Sequence, residues 1–137
     1  MRTVALLLGV LTWAGWPGAI CLAQSAARPP DTTAIASIVL ENFAFRPSHI
    51  HLRAGVPVRL VLTNQSSGAH DFSAPEFFAT ASFVQPSAAP PEGRIEVKGQ
   101  RIVQITLVPR VAGSYRLSCT HFLHSLFGMH GTIDVTP

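Results

Sequence analysis

Short runs of alternating or β-branched apolar residues recur between residues 35 and 135, and turn signals such as Pro47, Gly55 and Gly113 separate them. Successive side chains of a β-strand point to opposite faces, so runs of this kind are typical of strands that are buried on one face. No run has the 3.6-residue period of a long amphipathic helix. The pattern predicts an all-β fold, an antiparallel Greek-key β-sandwich or barrel of about eight strands.

Eight runs are predicted as strands, and they cover residues 35–45, 49–53, 56–64, 69–72, 94–98, 101–108, 114–118 and 131–135. The connection from residue 73 to residue 91 is irregular, because it contains four prolines. We expect one helical turn there, near residues 76–82, and we expect its phenylalanines to cover one side of the core.

The N-terminal segment differs from the rest of the chain. Arg2 is followed by an apolar run and then by small residues, a pattern typical of a secretory signal peptide. We predict a signal peptide over residues 1–23, with cleavage after Ala27 as the alternative, a flexible linker over 24–34 and one domain over 35–137. The predicted location is therefore periplasmic or secreted, and membrane attachment is expected only if the segment is not cleaved.

Cys119 becomes the single cysteine once the signal peptide, which contains Cys21, is removed. In an oxidising compartment a lone thiol is exposed to oxidation or to pairing with another molecule unless something occupies it. A metal ion that holds the sulfur as a thiolate would protect it. The alternative is an inert buried cysteine.

Soft and borderline metal ligands are concentrated after Cys119. The chain places His121, His124, Met129 and His130 within the next eleven residues, and His70 stands upstream within the short predicted strand over residues 69–72. Sulfur together with imidazole nitrogen selects copper or zinc over hard cations. One cysteine, two histidines and a weak methionine form the donor set of a trigonal copper site with a long axial thioether.

From residue 35 to its end, the chain resembles the cupredoxin family, the type 1 copper proteins such as plastocyanin and azurin. The first matching motif consists of Asn64 and His70-Asp71-Phe72. The second consists of Gly113-Ser-Tyr115-Arg-Leu117-Ser-Cys119, then four residues to His124, four more to Met129, and Gly131-Thr-Ile133-Asp-Val135.

This resemblance implies one copper ion that cycles between Cu(I) and Cu(II), with His70, Cys119, His124 and Met129 as its ligands. It implies a one-electron carrier rather than an enzyme. The implied partner is a redox protein, such as a cytochrome or an oxidase, that docks near His124.

One segment departs from the family pattern. Relatives often carry Pro-Gly before the loop histidine, where this chain has Phe122 and Leu123. His121 is an additional imidazole and a further candidate ligand. Because a cysteine with three histidines suits zinc, zinc is the alternative metal. The alternative function is a periplasmic copper chaperone or sequestration protein without a role in electron transfer.

Four apolar residues surround His124, namely Phe122, Leu123, Leu126 and Phe127. If His124 lies at the surface, they form an apolar patch suited to the brief docking of a partner. Taken one at a time, each of them is more typical of the core.

Two other features have two interpretations each. His49 and His51 share one face of a predicted strand, where a solvated face is favoured over a metal site. Asp71 either orients the loop through hydrogen bonds or is a simple turn residue. The basic residues are scattered singly, which argues against nucleic acid as a partner. No Ser/His/Asp nucleophile set or phosphate-binding glycine loop is evident, so the sequence predicts no enzyme.

Overall fold

The computed structural model describes residues 33–137, so the predicted signal peptide and nearly all of the predicted linker lie outside the described residues. Ten strands form: β1 Ala34–Glu41, β2 Ala44–Arg46, β3 His49–Arg53, β4 Val58–Asn64, β5 His70–Ser73, β6 Ser82–Phe83, β7 Arg94–Val97, β8 Ile102–Val108, β9 Gly113–Ser118 and β10 His130–Thr136. One helix, α1 Pro75–Thr80, and two short 3-10 turns, Pro86–Ala88 and Pro91–Gly93, lie between β5 and β7. The prediction of an all-β fold is confirmed.

The two strands beyond the predicted eight have local explanations. The predicted run over residues 35–45 divides at Phe43, whose φ of 65° turns the chain, so that β2 folds back antiparallel on β1. Strand β6 has only two residues and pairs with β8. A strand this short carries no alternation of its own and depends on its neighbour.

The strands form two five-stranded sheets, in the orders β2-β1-β4-β8-β6 and β3-β10-β9-β5-β7. The prediction of antiparallel pairing was wrong for two pairs, because β1 is parallel to β4 and β3 is parallel to β10. Between β1 and β4 the chain crosses to the second sheet to form β3. A crossover of this kind is what allows two strands to lie side by side in parallel.

The core lies between the sheets and follows the alternation of the sequence. Ile38 and Leu40 of β1 are buried while their neighbours are more exposed, and the pattern repeats in β4. From the second sheet the core receives Phe72, Val97, Leu117 and Ile133. Phe77 and Phe78 of α1 are also buried, as predicted for the irregular connection. Burying one such side chain contributes about 1.5–3 kcal/mol relative to leaving it exposed.

The second sheet brings two distant segments to the same end of the sandwich. Strand β5 begins at His70, and β9 ends one residue before Cys119. These strands are antiparallel neighbours, with Ser73 opposite Ser118. Continuing that register past the end of β9 leads the chain along β5 towards His70. Among residues 33–137 no helix is long and apolar enough to cross a membrane.

Candidate metal centre

Cys119 and Met129 stand at the two ends of a loop that joins β9 to β10. The backbone N–H of Cys119 donates a hydrogen bond to the carbonyl of Met129 at 3.1 Å, which closes the loop. The N–H of Met129 donates to the carbonyl of His124 at 3.0 Å, which folds the loop back on itself. The Cys119 Sγ is buried and accepts a hydrogen bond from the backbone N–H of Asp71 at 3.5 Å.

Three of the predicted ligands converge at this end of the sandwich. The Nδ1 atoms of His70 and His124 are 3.1 Å apart. The Sγ of Cys119 lies 3.4 Å from Nδ1 of His124 and 4.0 Å from Nδ1 of His70. The structure therefore brings His70 to the Cys119 loop, as the sequence predicts.

The three separations fit a single shared metal ion. Imidazole nitrogen binds a metal such as zinc at about 2.0–2.1 Å and thiolate sulfur at about 2.3 Å, so a shared ion requires donors no more than about 4.4 Å apart. All three pairs meet this limit. Two imidazole nitrogens beside a soft sulfur are also the donor chemistry that copper favours.

Met129 adjoins this group of three donors through its backbone. Met129 is completely buried and is joined through its backbone to both Cys119 and His124. Ligation by its thioether stays a prediction.

His121 lies beside the three donors. Its ring stacks on that of His124, with centroids 5.5 Å apart and an angle of 24° between the planes. Its Nε2, however, is 3.1 Å from each carboxylate oxygen of Glu96. The structure groups His121 with Asp71 and Glu96, not with His70, Cys119 and His124.

Burial sets the protonation of the two innermost donors. Burial, together with the neighbouring His124 and His121, holds the pKa of His70 below its usual value, so this imidazole is neutral and able to bind metal at neutral pH. Burial raises the pKa of Cys119 above its usual value, although backbone N–H groups of Asp71 and His121 oppose the shift. The thiol must therefore release its proton when a metal binds.

His70 does not behave as an ordinary core histidine. Its Nε2 is the only buried side-chain nitrogen or oxygen atom among residues 33–137 that has no hydrogen-bond partner. A buried unpaired polar group costs about 1–3 kcal/mol, so such groups in native structures usually have a functional explanation. The contacts of the other ring nitrogen, Nδ1, are to His124 and Cys119, so neither nitrogen has a hydrogen bond that would explain the residue structurally, and metal binding through Nδ1 is favoured.

Asp71 joins the two halves of the centre. Its Oδ1 accepts a hydrogen bond from the backbone N–H of Thr120 at 2.8 Å, and its Oδ2 accepts one from the Thr120 hydroxyl. Asp71 follows His70, and Thr120 follows Cys119. These contacts therefore fix the position of His70 relative to Cys119. The structure thus supports a loop-orienting role for Asp71.

Asn64 holds the segment that precedes His70. Its side-chain amide donates to the carbonyls of Gly68 at 2.8 Å and Val97 at 2.9 Å, and its Oδ1 accepts from the N–H and hydroxyl of Ser66. Ser66 and Gly68 lie on the approach to β5, and Val97 of β7 is opposite His70. Asn64, before His70, and Asp71, directly after it, therefore both help to hold this histidine in place.

An apolar surface surrounds His124. The exposed fractions are 85% for Phe122, 77% for Leu126, 60% for Phe127 and 40% for Leu123. The expectation that individual members of this group belong to the core was wrong, because the short loop holds them outside both sheets. We call these four residues, together with Phe43, the apolar patch.

Sequence reasoning missed Phe43. Its ring meets that of His124 edge to face at 5.2 Å and also lies 5.2 Å from the ring of Phe127. The turn between β1 and β2 presents it there, and no sequence signal linked that turn to the loop. Leu123, at a place where relatives often have glycine, adopts a φ of 61°, the left-handed conformation that glycine favours.

His49 and His51 lie on β3 and take no part in the group of three donors. His49 and His51 are exposed on β3, where Nδ1 of His49 is 2.8 Å from the Thr132 hydroxyl and Nδ1 of His51 is 3.8 Å from Asp134. The prediction of a solvated strand face is confirmed by their exposure.

Comparison with known proteins agrees with this geometry. A family model described as a cupredoxin-like domain matches residues 5–135. Auracyanin B is similar in structure, with a TM-score of 0.58 and 21% identity over 76% of this chain and 89% of that one. Dithionite-reduced auracyanin from the photosynthetic bacterium Roseiflexus castenholzii has a TM-score of 0.58 and 18% identity, over 77% of this chain and 98% of that one. At these identities the two structures show a shared fold. No curated protein matches the chain.

Proposed function

The chain belongs to the cupredoxin-like domain family, and from this membership we propose that it is a periplasmic or secreted copper protein that carries single electrons between redox partners. The observation that carries the proposal is the convergence of His70, Cys119 and His124, whose donor atoms all lie within 4.0 Å of one another. The signal-like composition of residues 1–23 supports the location.

The proposed centre holds one copper ion through the Cys119 thiolate and the Nδ1 atoms of His70 and His124, with Met129 as a weak fourth ligand. A copper ion bound there would supply a one-electron couple between Cu(I) and Cu(II). The Asp71 N–H points at the sulfur and stabilises its negative charge.

Rigidity of the donors favours electron transfer. The Asp71–Thr120 hydrogen bonds and the backbone bonds from Met129 to Cys119 and His124 tie the donor segments together. Donors that keep their positions in both oxidation states lower the reorganisation that each transfer requires. The low exposure of His70 and Cys119 keeps water away from the inner side of the centre.

The apolar patch is the proposed docking surface for a redox protein such as a cytochrome or an oxidase. It surrounds His124, the only one of the three convergent donors that is partly exposed. A partner seated there would place its own redox group close to an imidazole bound to copper. An exposed apolar surface of this kind is typical of interaction sites.

Spectroscopy of the copper-loaded protein tests the proposal. We expect an intense thiolate-to-Cu(II) absorption and reversible voltammetry, and we expect Cys119→Ser to lose the absorption. His51→Gln is the matched control, because this exposed histidine lies opposite Asp134, five positions beyond Met129 along β10, and its loss should leave the spectrum unchanged. A copper complex without colour and without reversible redox behaviour would refute the electron-carrier function.

A second candidate is copper delivery or sequestration. The observation that favours it is the additional donor His121, stacked on His124 at the edge of the centre. This function predicts rapid transfer of Cu(I) to a competing chelator and slow electron exchange. Zinc, the alternative metal, would have to displace copper in an equilibrium competition, against the usual order of affinities.

A further inference from the structure

A second group of potential ligands lies next to the copper centre and shares none of its donors. Asp71 of β5 and Glu96 of β7 are directly opposite each other in the antiparallel register. His121 reaches them from the loop, and one ligand atom from each residue lies within 4.8 Å of the others. We propose that Asp71, Glu96 and His121 bind a second metal ion, a borderline divalent cation such as Zn²⁺.

The charge at this place favours a cation. Like charges directly opposite each other on neighbouring strands are destabilising. Asp71 is only 1% exposed, so water screens its carboxylate poorly. Within residues 33–137 neither Asp71 nor Glu96 forms an ion pair with a lysine or arginine, since Arg94, the neighbouring cation, pairs with Glu92 at 3.8 Å. A divalent ion would offset both carboxylates at once.

The donor types also match. One imidazole nitrogen and two carboxylate oxygens form a set that binds zinc, with water completing the coordination. Thr120 donates one hydrogen bond to each Asp71 oxygen, and each oxygen keeps a second lone pair for a metal. Because the group has no sulfur, it should prefer Zn²⁺ to the Cu(I) that suits the Cys119 centre.

The position allows exchange with solvent. The side chains of His121 and Glu96 are 33% and 48% exposed, whereas Asp71 forms the buried floor. Nε2 of His121 is 3.1 Å from both Glu96 oxygens. A cation would enter between these two groups and would link β5, β7 and the loop.

The test counts zinc equivalents by isothermal titration calorimetry on the full chain. We expect two equivalents for the wild type. Cys119→Ser should lose the one at the first centre, while Glu96→Gln and His121→Gln should weaken the other by at least about tenfold. His51→Gln is the control, because His51 is an exposed histidine 3.8 Å from a carboxylate, that of Asp134, on another part of the sheet.

Cobalt identifies which site is filled. Co²⁺ bound by Cys119 gives a thiolate charge-transfer absorption, whereas Co²⁺ bound by oxygen and imidazole does not. A wild type that binds only one equivalent of Zn²⁺, which Cys119→Ser keeps and Glu96→Gln loses, would support the second site and contradict zinc binding at the first centre. Zinc binding that is identical in the wild type, Glu96→Gln and His121→Gln would refute the second site. Circular dichroism verifies that the two variants are folded, and both changes are at partly exposed side chains.

Discussion

The hydrogen bonds between Asp71 and Thr120 are predicted to be the main contact that stabilises the metal centre. Asp71→Ala is the substitution that removes them. The variant loses one N–H and one O–H hydrogen bond to a buried carboxylate. Hydrogen bonds to charged groups contribute about 1.5–3 kcal/mol each, but Thr120 is exposed and water will replace part of the loss.

The magnitude follows from two opposing terms. Loss of both hydrogen bonds, discounted for hydration of Thr120, costs about 2–3 kcal/mol. Removing a carboxylate opposite Glu96 returns less than about 1 kcal/mol. We therefore expect a loss of about 2 kcal/mol in the free energy of unfolding. For a domain of about 100 residues this lowers the melting temperature by roughly 8–16 °C.

A double-mutant cycle isolates the contact. Thr120→Val removes the hydroxyl and keeps the backbone N–H, so the four proteins of the cycle with Asp71→Ala should show a coupling of about 1 kcal/mol. The assay is urea denaturation with a metal chelator present. The control cycle uses His51→Gln and Asp134→Ala, an exposed pair 3.8 Å apart that should show almost no coupling. If the changes in the free energy of unfolding for Asp71→Ala and Thr120→Val add within about 0.5 kcal/mol, the predicted stabilising contact is refuted.

Three further predictions concern stability. Burial lowers the pKa of His70, so as the pH falls the unfolded chain takes up the proton before the folded protein does. Protein without metal should therefore lose stability as the pH falls below about 6.5. His70→Gln should flatten the dependence of the urea-denaturation midpoint on pH. Leu123→Gly should stabilise the protein by up to about 1 kcal/mol, because glycine relieves a φ of 61°, and a lower melting temperature would contradict this. Gly131→Ala should cost more than about 2 kcal/mol or prevent folding, since its Cβ would overlap the Ser48 carbonyl; Gly68→Ala, with open space around it, should have little effect on the denaturation midpoint.

Much of the fold could be predicted, because strand formation is indicated by the alternation of residue types within each short segment. Alternation indicated strands within residues 35–45 and 49–53 and placed His49 on a solvated face. Strand pairing was less accessible. The parallel partners β1 and β4 are separated by an excursion into the other sheet, and no property of either run states which strand lies beside it.

For the metal centre, too, the local features could be predicted from the sequence, whereas contacts between distant segments could not. The spacing of Cys119, His124 and Met129 indicates a loop with several soft donors, because all three lie between two adjacent strands. Phe43 was missed, since its contact with His124 depends on how a distant hairpin packs. Glu96 was missed for the same reason, because only the pairing of β5 with β7 places it opposite Asp71.

Residue types and their spacing specified the chemistry that this protein has available: the Cys119 thiol, a set of imidazoles and a β scaffold. Residue type and alternation are local properties, so they can be read without the fold. Only the tertiary structure decided which donors meet. His70 and Cys119 are 49 positions apart, and their contact exists because β5 and β9 lie side by side in one register. The pairing of β5 with β7 likewise places Glu96 opposite Asp71, where His121 Nε2 lies 3.1 Å from both Glu96 oxygens, because strand pairing and not local sequence sets which distant side chains are neighbours.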